Sequence, residues 1–148
     1  MTPDHPSLVP HHVGCAVKDI DAAYSSYVDA VGALRRTRAL EVQSQNVAVC
    51  FIELRPGFYL ELVAPLNDQA KLSAYMRAGF YHLCFLVDDL QVQQKKLEDK
   101  PFFALAPFES EAFAGNPCQF FVNPQGHLIE FAQISPRDFD AFFEAHLA

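Results

Sequence analysis

Two stretches seventy positions apart repeat one another. "HVGCAVKDI" begins at His12 and "HLCFLVDDL" begins at His82. Each reads as a His, an apolar run, a Val, a polar residue, an Asp and an apolar residue. In both, the Asp stands seven positions after the His, at Asp19 and Asp89. A second pair of segments, "YLELVAP" and "HLIEFAQ", each carries one Glu inside an apolar run. Glu61 lies 49 positions after His12, and Glu130 lies 48 after His82. A chain that repeats a unit of this size folds as two copies of one supersecondary motif, and that constrains every other reading.

The motif follows from periodicity. "HHVGCAV" (11–17) predicts a buried strand. Over 18–32, Ile20, Ala23, Tyr24, Tyr27, Val28 and Val31 recur at helical spacing, with Asp19 as N-cap and Gly32 as stop. Strands are expected at about 34–43, 46–54 and 58–66, with a tight turn at "RPG" (55–57). Residues 67–79 read as a linker with a short helix. The pattern then restarts: a strand at "YHLCFLVDD", a helix over 90–100, strands near 103–109, 118–124 and 127–134, and a turn at "NPQG" (123–126). Residues 135–148 predict a terminal helix, with Ser135 as N-cap, Pro136 in its first turn and an apolar face of Phe139, Phe142, Phe143 and Leu147. The order is β-α-β-β-β, linker, β-α-β-β-β, an α+β single domain over 1–148. Module one spans about 10–66 and module two about 80–134.

Strand side chains alternate faces. His12 is expected to share a face with Gly14 and Ala16, and His82 with Cys84 and Leu86, while Leu83, Phe85 and Val87 face the helices. Tyr59, Glu61 and Val63 align, as do Leu128, Glu130 and Ala132. If the two sheets curl toward each other, His12, Glu61, His82 and Glu130 converge. A lone His in a strand is ordinarily a hydrogen-bonded core residue, and a lone Glu ordinarily sits at an edge. The repeat argues otherwise, because it supplies partners at matched offsets. Four buried titratable groups need a common compensation, and a divalent metal gives one by offsetting the carboxylates and engaging both imidazoles. Two nitrogen and two oxygen donors suit Zn, Ni, Co, Mn or Fe better than Ca or Mg. By parity His11 points outward, and Glu53 is a surface strand residue. His5, His127 and His146 read as solvated.

Composition narrows the function classes. The net charge is −7, and "LRRTR" (34–38) is the only basic cluster, which argues against nucleic acid. Half the residues are hydrophobic, including 14 Phe, so a sizeable core is expected. Cys15, Cys50, Cys84 and Cys118 form no C-x-x-C pair and read as small buried hydrophobes of a reducing compartment. The polar, Pro-rich start does not read as a signal peptide, and no apolar run approaches a bilayer span. The expectation is a cytoplasmic protein without a membrane partner.

On "HHVGCAVKDID", "YLELVAPLND", "YHLCFLVDDL" and "GHLIEFAQ", residues 10–134 resemble the vicinal-oxygen-chelate superfamily, most nearly its methylmalonyl-CoA epimerase branch. The superfamily also includes glyoxalase I, extradiol dioxygenases and bleomycin-resistance proteins. The resemblance implies paired βαβββ modules forming a curled mixed sheet around a metal cavity. It implies His12, Glu61, His82 and Glu130 as ligands of a divalent metal ion, with Glu130 or Glu61 as catalytic base. The implied chemistry is proton abstraction next to a carbonyl of a metal-chelated substrate, for example an acyl thioester or a thiohemiacetal. A homodimer is also implied, and the Phe-rich tail fits one. The epimerase branch carries a second glutamate on the strand before that of Glu61, and Val49 stands there. With Phe51 two positions on, that wall is apolar and suits a substrate with a hydrophobic group. No basic residues are placed for a CoA phosphate or a glutathione carboxylate. The leading reading is therefore a metal-dependent isomerase, epimerase or lyase. The alternative is a small-molecule binding or resistance protein, although such modules tend to lose the ligands that this chain keeps. An Fe(II) dioxygenase fits less well, because Glu61 takes a position that oxygen or substrate would use.

Overall fold

The computed structural model describes residues 8–73, 76 and 79–148. Module one contains β1 (Val9–Ala16), α1 (Ile20–Val31), β2 (Leu40–Val42), β3 (Val47–Arg55) and β4 (Phe58–Pro65). Module two contains β5 (Gly79–Leu86), α2 (Leu90–Leu97), β6 (Phe103–Ala104), β7 (Phe108–Ser110), β8 (Asn116–Val122) and β9 (Leu128–Ala132). A last helix, α3, covers Pro136–Ala145. The two aspartates of the repeat do the same work. Asp19 accepts from the Ala22 N–H at 2.8 Å, and Asp89 accepts from Gln91 and Val92, so each caps a helix. Ser135 caps α3 through the Asp138 N–H.

The nine strands among the described residues join one mixed sheet in the order β2-β3-β4-β1-β5-β9-β8-β6, with β7 also pairing β8. The repeat is visible in the pairing. β1 runs parallel to β4, β5 runs parallel to β9, and β1 meets β5 antiparallel at the centre. The sheet is nearly closed into a barrel-like curl, the glyoxalase-like architecture expected from the sequence. On its outer side α1 packs over Cys15, Cys50, Ile52, Leu60 and Leu62, while α2 packs over Phe85, Phe121 and Phe131. The inner side holds the largest core, built on Phe51, Tyr59, Phe113, Phe139 and Phe143.

Several expectations change. The strand expected at 34–43 is paired continuously only over Leu40–Val42, with single bridges from Arg36 to Ile52 and Thr37 to Leu147. The basic cluster there is occupied locally: Arg35 donates to Glu53 and Glu144, and Arg36 donates to Asp21. The strand near 103–109 is two short strands. Leu83, expected against a helix, is 49% exposed, because it lies between the areas that α1 and α2 cover. Residues 67–73 form bends and turns, and the short helix expected in the linker falls partly on 74, 75, 77 and 78, outside the described residues. His5 also lies outside them. All four cysteines are buried and free. Among the described residues no helix is long and apolar enough to cross a membrane.

α3 packs its Phe face onto the domain. Phe139 is fully buried, with ring centroids 5.0 Å from Phe51 and from Tyr59. Phe139→Ala should cost about 3–5 kcal/mol of stability, read from chemical denaturation. A loss below about 1 kcal/mol would mean that α3 is not part of the core.

Candidate metal centre

The central pairing of β1 and β5 sets Gly14 opposite His82 and His12 opposite Cys84. The flanking parallel strands add the carboxylates at one offset: Glu61 stands beside Gly14 and Glu130 beside Cys84. Each acid is therefore carried next to the residue two positions after its module's histidine. All four side chains are buried. His12 Nε2 lies 3.0 Å from His82 Nε2, 3.6 Å from Glu61 Oε1 and 3.3 Å from Glu130 Oε1. His82 Nε2 lies 3.5 Å from each of those carboxylate oxygens. The sequence-predicted quartet is brought together.

The donors fit a divalent cation. Atoms bound at about 2.0–2.1 Å stand about 3.0 Å apart at a right angle and about 3.3 Å apart at the tetrahedral angle; the donor separations here run from 3.0 to 3.6 Å, so a small inward shift of Glu61 and His82 would complete the cage. Among the described residues Glu130 Oε1 and His82 Nδ1 are buried without a hydrogen-bond partner, and an isolated buried carboxylate oxygen is costly. Without an ion the two acids diverge. Burial, and then the Glu130 charge, push Glu61 up to about 8. Glu130 also feels burial, but the close His12 and His82 imidazoles, together with their charge, outweigh it and hold this carboxyl below the usual range.

Two neighbours are not where strand parity puts them. His11, expected to point outward, is 2% exposed and interior. β1 is bulged: Pro10 pairs Phe85 and His12 pairs Cys84, so His11 is an extra residue and both histidines enter the interior. β5 is bulged in the corresponding place, because Gly14 pairs His82 while Cys15 pairs Phe80. The extra residue there is Tyr81, whose ring lies 4.5 Å from that of His82. Tyr81 was not expected at the site, and the available signal was its place in the repeat, matching His11. Burial, and then the Glu61 and Glu130 charges, raise the Tyr81 phenol well above its ordinary value, so it remains a neutral donor. Of the other side chains expected to be solvated, Glu53 is half-buried at the end of β3 and pairs with Arg35, and His146 caps α3.

A pocket of about 400 Å³, counting its open mouth, reaches Glu61 and Glu130. Its walls include Val42, Val47, Val49, Val63, Phe113 and Phe120, with Tyr81, Gln45 and Ser110 as polar groups. Val49 therefore does face the site, as the sequence predicts. Glu61 and Glu130 are the only carboxylates among the described residues that line the pocket.

The sequence model of the Glyoxalase/Bleomycin resistance protein/Dioxygenase superfamily matches residues 11–122. The chain belongs to this superfamily. It is similar to the ethylmalonyl-CoA/methylmalonyl-CoA epimerase of Cereibacter sphaeroides, at 27% identity over 84% of this chain and 96% of that one. Among solved structures it is similar to the methylmalonyl-CoA epimerase of Mycobacterium tuberculosis, at 22% identity and a TM-score of 0.77, over 93% of this chain and 95% of that one. It is also similar to a variant of the Streptomyces coelicolor methylmalonyl-CoA epimerase in complex with 2-nitronate-propionyl-CoA, at 23% identity and a TM-score of 0.66, over 85% of this chain and 97% of that one. Within this superfamily member Gly14 has a local task. A Cβ on Gly14 would come within 2.0–2.6 Å of the His82 ring. Gly14→Ala should cost about 1–3 kcal/mol of stability, measured by denaturation of chelator-treated protein, because the buried imidazole has little room to retreat. Wild-type stability would show that His82 can move aside freely.

Proposed function

We propose that this chain is a divalent-metal-dependent isomerase or epimerase of glyoxalase type. It would remove a proton from the carbon next to a carbonyl of a small substrate, with an acyl thioester as the leading class. The observation that carries the reading is the buried quartet of His12, Glu61, His82 and Glu130 opening onto an apolar pocket. Similarity to enzymes named as acyl-CoA epimerases supports the substrate class. His12, His82, Glu61 and Glu130 would hold the cation, which when bound supplies a Lewis acid that polarises the substrate carbonyl.

The remaining work falls to the chain itself. Glu61 and Glu130 are the acid–base groups within reach of a substrate in the pocket, and one of them accepts the α-proton and returns it. The neutral Tyr81 hydroxyl can donate to a developing oxygen charge. The valine wall excludes water and takes up an apolar substituent. Val49 puts no carboxylate on its wall, so a second base cannot come from there. That same feature favours a second reading, a binding module that holds a ligand against the apolar wall without turning it over.

The deciding measurements are elemental analysis of untagged protein and α-proton exchange in D2O. Near-stoichiometric metal is expected in wild type and not in His82→Ala. With methylmalonyl-CoA or 2-oxo-thiohemiacetals, wild type should exchange the α-proton, and chelation should stop it. Glu61→Gln or Glu130→Gln, whichever removes the base, should slow exchange by roughly 10²–10⁴-fold. Bound ligand without exchange would favour the binding module. No metal after reconstitution would sink the metal reading.

We also infer that a second copy covers the outer face between α1 and α2. Phe80 is 69% and Leu83 49% exposed there, beside half-buried Val13 and Ile129. This patch lies on the central antiparallel pair, where the two modules are related to each other and a self-complementary contact can form. Light scattering should give a dimer for wild type and a monomer for Leu83→Glu. A monomeric wild type would overturn it.

A further inference from the structure

The two histidines of the site are held differently. His82 Nδ1 has no hydrogen-bond partner among the described residues. His12 Nδ1 lies 2.8 Å from His11 Nδ1. The ring nitrogen that His12 turns toward Glu61, Glu130 and His82 is Nε2. A neutral imidazole that gives Nε2 to a cation carries its proton on Nδ1. That proton faces one acceptor, the lone pair of His11 Nδ1. His11 must then carry its own proton on Nε2, which has no hydrogen-bond partner among the described residues. Its ring is enclosed by Phe51, Tyr59, Phe113 and Phe139, the last at 4.1 Å and nearly perpendicular. An enclosure of aromatic rings suits a neutral imidazole. A neutral His11 has one lone pair, and the Nδ1–Nδ1 contact directs it at His12.

We propose that His11 is a positioning residue, the hydrogen-bond acceptor that fixes His12 in the tautomer and ring orientation presenting Nε2 to the metal. The inference rests on the metal reading of the quartet and adds a role that quartet does not contain. It gives the β1 bulge a purpose. Without the extra residue, alternation would turn position 11 to the outer face, and the His12 Nδ1–H would lose this acceptor. It also makes the two halves of a repeat-built site unequal. His12 is braced by a second imidazole, while His82 is held by packing against Tyr81 and Phe120. Groups that accept the outer N–H of a metal-bound histidine raise its basicity and fix its orientation.

The test uses the full-length chain loaded with Zn(II) and labelled with ¹⁵N-histidine. A ¹⁵N–¹⁵N coupling across the hydrogen bond between His11 Nδ1 and His12 Nδ1 is expected, with His12 protonated on Nδ1. A fold-preserving role for His11 would not produce that signal. Zn(II) affinity by chelator competition should fall roughly 10–100-fold in His11→Leu, and much less in His11→Asn, whose amide oxygen can accept the same proton. Metal-free melting curves serve as the folding control, and if His11→Leu does not fold, the wild-type coupling decides alone. Wild type that binds Zn(II) without the coupling, or His11→Leu that binds as wild type does, would overturn the role of His11 and leave the metal site standing. Wild type that binds no Zn(II) would overturn both.

Discussion

The antiparallel contact between β1 and β5 holds the rest of the structure in register. It is the seam between two βαβββ modules, and both histidines of the site stand on it. Because strand side chains alternate, a slip of one residue along this seam would carry the imidazole of the slipped strand to the outer face. The pairing of Gly14 with His82 resists such a slip, since the glycine leaves space that the imidazole fills. The parallel partners β4 and β9 then add Glu61 and Glu130 at matched offsets, so one seam fixes four side chains.

Gathering four titratable groups in a dry interior carries a large electrostatic cost, and the site shows how it is distributed. Two carboxylates a few ångströms apart cannot both be charged without a cation, and their proton affinities separate accordingly. The surroundings offer little relief. Phe51, Phe113 and Phe120 lie around the imidazoles, and valines line the wall beside the acids. A divalent cation meets all of these needs together, and it would be held more tightly for the apolar wall, where charges are poorly screened.

Repetition gave the site its symmetry, and packing broke it. The extra residue of the first bulge, His11, is sealed under α3 by Tyr59 and Phe139. Its counterpart, Tyr81, lines the pocket. One side of the quartet is therefore structural support and the other side is open for a ligand. α3 lies after both repeats in sequence, and its Phe face is what closes the first side.

The repeat, the helix cap at Asp19, the apolar wall at Val49 and the quartet of His12, Glu61, His82 and Glu130 can all be read along the chain. These are legible because each depends on local periodicity or on equal spacing in two copies. His11, Tyr81 and the need for glycine at position 14 were decided only in the tertiary structure. A period of two places alternate residues on opposite faces, and one inserted residue reverses that assignment. Whether a strand takes the insertion depends on the hydrogen-bond register of its neighbour, which lies seventy positions away. The Cβ clash at Gly14 likewise involves a side chain across the seam. These features are set by contacts between modules, which no window along a single strand contains.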